Sequence, residues 1–571
     1  MSVAQLLRKA AKLSKDGQGD AAEEIYQSIL NKFPKNQVAR KALAGLSVSA
    51  KSGGTSQAQL NELLSLYTAK KYQEAVDFGR GLLANHGDHH LVHNILGALH
   101  LDTGHYLIAL GHFQKVNALA PDYAEGHNNM GAVMHKLRVP KDSIAAYERA
   151  IVLDSKYAQA HSNRNFELNY ANVPSPQAGF EKHMEYEAHF GGSENQMKHL
   201  PDGVVDRRLR IGYVSPDFNA HSVAYFFEPL LAAHDHTSIE SFCYYCHEKV
   251  DDTTTRLIGL ADHWRDVAGL NDAQLAKRIV EDRIDILVDL AGHSAKSRVR
   301  VFARKPAPVQ VAWLGYPNTT GLRAVDYRFT DVIADPIGDA DALHSEELVR
   351  LDGGIWCYTG GPSSPVTVPK DDGIITFGSF NHMSKLSPQV IGVWARILKS
   401  VPQSRLLLKH LQLGHAVTLD SVIKQFSAFG VGADRLDLHA RLPKRDDHLA
   451  LYGHVDIGLD PFPFNGCTTT FEALWMGVPV VSLRGSRHVA RVGASILTHL
   501  GYPELLADSE DDYVRIAVGL AGDGARRSQY RAGLRDAVKV SSLGDTVGFA
   551  AKVESAYRDM WAKFARSGDT G

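Results

Sequence analysis

Two successive segments of this 571-residue chain, 91–124 and 125–158, superimpose at a spacing of 34 residues. Gly97 falls on Gly131, Leu110 on Ile144, Phe113 on Tyr147 and Leu119 on Leu153. Small residues recur where two helices cross closely, and aromatics recur where one helix pair meets the next. Each pair buries its apolar face only against a neighbour, so this period predicts an α-solenoid rather than a single globular core. The phase is weaker over 57–90, where Tyr72, Ala75 and Val76 keep it, and an earlier unit near 20–40 ends in Phe33-Pro34. The stretch 45–57, with Gly-Gly, Ser and Thr, breaks the phase as a linker or divergent turn.

The period and its marker positions are the tetratricopeptide signature. Such arrays present a concave groove, and partner binding is their usual role, although the fold alone does not establish it. Asn129 and Asn163 lie 34 residues apart on the first helices of successive units. Amides repeated in this way suit the backbone of an extended peptide; ordinary helix-surface polarity is the competing reading. Ile95 occupies the equivalent position one unit earlier, so any such ladder is incomplete.

From about residue 207 the pattern changes to apolar runs alternating with helical segments, which predicts parallel sheets covered by helices. Runs at 209–215, 284–290, 309–314 and 327–330, with helices over 253–263 and 272–282, make one set. After a Gly/Pro/Ser-rich stretch at 353–370 comes a second. It has strands at 374–379, 405–408, 436–438, 456–459 and 478–483, with helices over 388–399, 415–428, 446–453 and 468–476. The expected organisation is a repeat region (1–170), a linker (171–206), two Rossmann-like halves (207–372 and 373–545) and a C-terminal helix and tail (546–571) packing back on the first half. Ligands of such sheets sit beyond the carboxyl ends of the strands.

The most suggestive of these ends is Asn465-Gly-Cys-Thr-Thr-Thr470, between two predicted strands. A helix opening on Gly466, Thr468, Thr469 and Thr470 offers backbone N–H groups and hydroxyls to a small anion. With Glu472 one turn on, the segment suits the diphosphate and ribose of a nucleotide; a well-capped helix is the plain alternative. Asp217 and His221 follow the first strand of the first half, and Lys385 follows the first strand of the second. A cation and a helix start facing one gap stabilise a departing diphosphate, and a histidine across it can handle the acceptor proton. The plain readings are a helix-capping Asp217, a surface Lys385 and, among 28 histidines, a solvated His221.

Other chemistries find little support. Asp339-Ala-Asp341 has the spacing of a divalent-ion motif but lies in a Pro/Gly loop, so no metal is expected. Neither a phosphate-binding Gly-x-x-x-x-Gly-Lys-Ser/Thr loop nor a Gly-x-Gly-x-x-Gly after the first strand is present. Four cysteines argue against a disulfide scaffold. Cys243 and Cys246 fall on a strand at a spacing that sends them to opposite faces. A net charge of −2 points to neither nucleic acid nor anionic membrane, no run of eighteen apolar residues suggests a span, and a cytoplasmic setting is expected.

Four stretches carry a resemblance: LRIGYVSPDFNAH (209–221), RKPAPVQVAWLGYPNTTG (304–321), FGSFNHMSKLSP (377–388) and FNGCTTTFEALWMGVP (464–479). They resemble the O-linked N-acetylglucosamine transferases of glycosyltransferase family 41, bacterial homologues included, and also the plant SPINDLY proteins. The resemblance covers the repeats and both halves. It implies a GT-B fold and metal-independent, inverting transfer from a nucleotide-sugar to Ser or Thr. It casts His221 as the active-site histidine, Lys385 and the Thr468–Thr469 pair as diphosphate contacts, and Glu472 as the acidic residue at the ribose. Pro443-Lys444 with His448 matches a stretch beside the uracil, with one extra residue between them, and Leu314-Gly315 matches a loop near the sugar. Cys467 stands where the family has histidine before the threonine pair, and His382 and Ser384 replace Gln and Tyr of the animal enzymes.

The implied function is transfer of N-acetylglucosamine from UDP-GlcNAc to protein Ser/Thr hydroxyls, with UDP-sugar and peptide acceptors as partners and the acceptor entering along the repeat groove. Gly292-His293-Ser294 and Gly315–Gly321 look closer to SPINDLY, which implies GDP-fucose as an alternative donor. A repeat scaffold with a vestigial nucleotide-sensing domain is the alternative from another class, and transfer to a small molecule or lipid is a third.

Overall fold

The computed structural model describes residues 3–15, 19–33, 36–40, 42, 55–192, 194, 196–201, 203–360, 365–366, 373–442 and 444–567. Most of the 45–57 stretch, Pro34 and Pro443 therefore lie outside the described residues. The chain forms two compact units, Met1–Val133 and Met134–Gly571.

The first unit is helical. Helices Val3–Lys15 and Gly19–Lys32 pair around Ala10, Ala22, Tyr26 and Ile29. Helices Gln57–Thr68, Tyr72–His86, His90–Asp102 and Tyr106–Leu119 follow, in the phase set by the 34-residue period. A Cβ on Gly97 would lie 2.7 Å from the Phe113 ring, so the repeating glycine is where one helix admits the aromatic of its partner. Asn129 donates to the Asn94 side-chain oxygen at 2.9 Å, and Asn94 donates to Glu125 at 2.8 Å. The amide preceding Asn129 is thus supplied by Asn94, one residue away from the Ile95 that strict periodicity points to.

The second unit begins in the repeat pattern, with helices Pro140–Leu153 and Ala158–Glu167. Where a linker is expected over 171–206, the described residues include the fifteen-residue helix Pro176–Phe190. Ser175 caps its start and Pro176 occupies the first turn, a combination that overrides the loop-like look of Val-Pro-Ser-Pro.

Two all-parallel sheets follow. The first contains β1 (Leu209–Ser215), β2 (Ile239–Tyr245), β3 (His263–Asp266), β4 (Ile286–Asp289), β5 (Val309–Ala312), β6 (Tyr327–Thr330) and β7 (Glu347–Arg350), in the order β3-β2-β1-β4-β5-β6-β7. The second contains β8 (Ile375–Ser379), β9 (Ser404–Lys409), β10 (Leu436–His439), β11 (Ile457–Leu459), β12 (Val480–Leu483) and β13 (Leu506–Ala507), in the order β10-β9-β8-β11-β12-β13. Strand order reverses beside β1 and beside β8, and ligands of such sheets bind at those switch points. Cys243 packs on one face of the first sheet with Ile211 and Phe227, while Cys246 joins Val214 and Ile279 on the other.

The helix expected over 253–263 stops at Leu260, and His263 opens edge strand β3. His-Trp-Arg-Asp has no apolar alternation to mark it as a strand; pairing with β2 makes it one. Helix Thr546–Arg566 returns to the first half, as expected: Tyr557 reaches the Tyr213 hydroxyl at 3.4 Å and Glu554 pairs with His234 at 2.8 Å.

Candidate active site

A cavity of about 290 Å³ lies between the two halves. His221, Leu314, Gly315, His382, Lys385, Cys467, Thr468 and Thr469 all line it, so eight residues singled out in the sequence meet in one space.

From the second half, β8 leads into Asn381, His382 and a single 3-10 turn, Met383–Lys385. That turn swings the Lys385 ammonium onto the Asn465 carbonyl oxygen at 2.7 Å and the Asn381 side-chain oxygen at 3.2 Å, with the Phe464 ring 4.2 Å away. Burial lowers the Lys385 pKa to about 8, although the charge of Asp460 pulls it upward. Helix Thr468–Trp475 starts beside it. The residue preceding that helix, Cys467, makes no side-chain capping hydrogen bond, so its side chain leaves the first-turn N–H groups open. Thr469 donates its hydroxyl to Asn381, the same oxygen that receives Lys385. Burial pushes the Cys467 thiol up to about 12, so it is a neutral wall here.

From the first half, His221 caps helix Ser222–Ala233, its Nδ1 accepting the Val223 amide hydrogen at 3.3 Å. The ring proton is therefore on Nε2. Asp217 stands 3.6 Å from the same Nδ1, beyond hydrogen-bond range, and is absent from the cavity wall. Burial raises the Asp217 carboxyl above its ordinary value. Leu314 adopts φ +71°, and a Cβ on Gly315 would fall 1.9 Å from the Leu290 carbonyl oxygen. This loop thus lies against β4 more tightly than any side chain allows. Arg328 braces it from below, donating to the carbonyls of Tyr316 at 2.9 Å and Asn318 at 2.6 Å.

Glu472 and His448 sit behind the threonines. Their side chains pair at 2.9 Å, Glu472 is buried, and Tyr452, edge-on to His448, donates to the Thr469 carbonyl at 3.2 Å. Neither lines the cavity, nor does Lys444, which is exposed. His382 packs against His410 and His135, and burial drives its pKa well below the ordinary value. Asn163 accepts from Gln159 at 2.7 Å, outside the cavity wall. Arg328, Trp356, Asn381, Phe464 and His488 also line the wall, and none of them is assigned a role from the sequence. Asn381 lay inside a quoted motif, whereas Arg328 and His488 carry no local sequence signal. Among the described residues no group of three or more His, Cys, Asp or Glu side chains can hold a metal, and Asp341 is engaged by Arg350 at 2.8 Å.

Two doubly wound sheets with a cavity at their switch points, walled by a half-buried lysine and an uncapped helix start, define the two-Rossmann GT-B class. The chain belongs to Glycosyl transferase family 41, whose sequence pattern it matches over residues 193–355 and 365–553. It is similar to the probable UDP-N-acetylglucosamine–peptide N-acetylglucosaminyltransferase SPINDLY of Oryza sativa subsp. japonica, with 39% identity over 74% of this chain and 46% of that one. Similarity to the SPINDLY protein of Arabidopsis thaliana is of the same order, 40% identity over 72% of this chain and 46% of that one. The chain thus spans about half the length of these relatives. A solved O-GlcNAc transferase mutant of Thermobaculum terrenum superimposes with a TM-score of 0.83 at 36% identity, covering 90% of this chain and 99% of that one.

Proposed function

We propose that this chain is an inverting, metal-independent glycosyltransferase that moves N-acetylglucosamine from UDP-GlcNAc to Ser or Thr hydroxyls of proteins. The observation that carries the reading is the Lys385 ammonium beside the uncapped start of helix 468–475, within one cavity that His221 also lines. The names of the relatives in rice, Arabidopsis and Thermobaculum favour N-acetylglucosamine over the fucose alternative.

In this reading the diphosphate lies on Lys385 and the N–H groups of Thr468 and Thr469, and the ribose lies toward Glu472 and His448. Leu314 and Gly315 wall the sugar. The acceptor oxygen attacks the anomeric carbon in line as the bond to the β-phosphate oxygen breaks, through an oxocarbenium-like state. Lys385 and the helix start stabilise the charge that builds on the diphosphate. His221, with its proton on Nε2, serves as a donor that orients the acceptor, and the hydroxyl proton leaves on the diphosphate. That route requires no protein base. Asp217 supports His221 from behind rather than touching substrate. Asn129 in the first unit and Asn163 in the second are each proposed to contact acceptor backbone, and Lys444 is proposed to meet the uridine.

The test is calorimetry of the full chain with UDP and with GDP, followed by mass spectrometry of a Ser/Thr peptide incubated with UDP-GlcNAc. UDP binding and a peptide mass increase of one N-acetylhexosamine support the reading. GDP binding without UDP binding overturns the donor assignment. UDP binding with no transfer to peptide favours the scaffold alternative.

A further inference from the structure

We infer that Asp460 is the positioning residue of the diphosphate end of the cavity: its carboxylate holds the Gly466 turn so that the start of helix 468–475 and the Lys385 ammonium face the same space. The inference rests on reading that end as the seat of a nucleotide diphosphate.

Asp460 follows β11 and is 1% exposed. One carboxylate oxygen accepts the Gly466 N–H at 2.6 Å, and the other accepts the Ser482 hydroxyl of β12 at 2.6 Å. Its backbone is pinned as well, the N–H donating to the Val481 carbonyl at 3.0 Å and the carbonyl accepting the Tyr513 hydroxyl at 2.9 Å. The turn it grips fits closely, since a Cβ on Gly466 would lie 2.6 Å from the Thr469 hydroxyl and 3.0 Å from the Asp460 carboxylate. Asp460 itself does not line the cavity.

The carboxylate's hydrogen bonds go to a backbone N–H and a hydroxyl, not to a cation. A buried carboxylate without one is costly, and a structural turn alone would be served as well by a neutral side chain. What a carboxylate adds is charge. Burial raises the Asp460 pKa to about 7 and lowers that of Lys385 to about 8, and each group pulls the other back toward its charged form. His221 and His488 line the same cavity as Lys385; the groups that interact with the pair directly are Cys467, raised to about 12, Tyr513, raised well above its ordinary value, and His382, lowered well below its own. None of these three changes charge near pH 8. Asp460 therefore both aims the helix start and keeps Lys385 protonated before the diphosphate arrives.

The experiment is UDP calorimetry on the full chain across about pH 6.5 to 9.5, the window bracketing the two pKa values, with thermal stability recorded for every variant. Wild-type affinity should weaken as Lys385 loses its proton near pH 8. Asp460→Asn keeps a side chain able to bond both Gly466 and Ser482 but carries no charge. Its affinity loss should set in at lower pH, which a purely structural role does not predict. Asp460→Ala should weaken UDP binding by about tenfold or more at every pH, and Ser482→Ala by a few-fold, on the scale of a charge-assisted hydrogen bond. If Asp460→Ala does not fold, Asp460→Asn and Ser482→Ala decide. The inference is overturned if Asp460→Asn weakens at the same pH as wild type, or if Ser482→Ala matches wild type throughout. Wild-type protein that binds neither UDP nor GDP overturns the underlying reading and the inference with it. Wild-type binding with unchanged variants overturns the inference alone.

Discussion

Lys385 donates to the carbonyl oxygen of Asn465 at 2.7 Å, bridging the turn after β8 to the turn that opens helix 468–475. The lysine is therefore held at the helix start before any ligand is present. Its charge is also marginal, because burial lowers its pKa to about 8. Below that pH the ammonium is present; above it the neutral amine offers nothing to a diphosphate. Donor affinity should fall as pH rises through about 8. Lys385→Met should weaken UDP binding by about ten- to a hundredfold, the size of one charge-assisted contact, and remove the pH dependence. A pH-independent wild-type affinity would argue against Lys385 as the diphosphate cation.

His221 should separate binding from turnover. Its Nδ1 is committed to the Val223 amide, and it lines the cavity on the side away from Lys385's own half. His221→Ala should leave the UDP dissociation constant within about twofold while lowering kcat by about 10²-fold, the usual loss for one transition-state donor. Calorimetry and a peptide-transfer assay on the same preparation check both values. Equal losses in binding and turnover would place His221 on the donor nucleotide instead.

The repeat period, both alternating sets and most of the cavity wall were legible because each has a local signal. Gly97 and Phe113 mark a helix crossing, and the Lys385 turn and Thr468–Thr469 helix start follow directly from strands. What escaped depends on tertiary context. Edge strand β3 is polar, and helix Pro176–Phe190 lies within the stretch expected as a linker, with Pro176 in its first turn. Arg328 works through two backbone carbonyls, and His488 joins the wall through an ion pair with Asp335 at 2.8 Å. Neither partner can be found from spacing. Lys444, which the motif resemblance places beside the uracil, is exposed.

Gly315 leaves no room for a side chain. Gly315→Ala would place a methyl group 1.9 Å from the Leu290 carbonyl oxygen, which belongs to backbone beside β4 and cannot rotate away. The loop must move, at a cost of about 1–3 kcal/mol by analogy with overpacked cores. The expected outcome is a lowered Tm, with sugar transfer reduced more than UDP binding, because in the proposed reading this loop walls the sugar and Lys385 is untouched. Unchanged transfer would remove Leu314 and Gly315 from the sugar site.

Chelation should be without effect. The Asp339 and Asp341 pair is the one sequence motif that suggested a divalent ion, and Asp341 is already bound by Arg350 at 2.8 Å and by the Gly338 amide at 2.8 Å. The charge a metal would neutralise is met in this reading by Lys385 and the helix start. Peptide transfer in excess EDTA should equal that in its absence, and added magnesium or manganese should not raise it. A chelator-sensitive activity would require a cation and would overturn the metal-independent mechanism.

His448 and Glu472 test whether the nucleoside lies behind the threonines. Glu472 is 4% exposed and its carboxylate meets His448 at 2.9 Å, while the other ring nitrogen of His448 is buried without a partner. His448→Ala strands a buried carboxylate, a change that costs about 3–5 kcal/mol when such a pair is broken. Glu472→Gln keeps the volume and a hydrogen bond to the imidazole, so it should fold with a Tm close to wild type. If the ribose sits here, Glu472→Gln should still weaken UDP binding by about tenfold, the loss of a hydrogen bond to a charged acceptor, while binding of inorganic diphosphate, which lacks the ribose, stays the same. Equal weakening toward both ligands would place Glu472 on the phosphates, and no weakening toward either would leave the His448–Glu472 pair as a support for the Thr469 end of the helix.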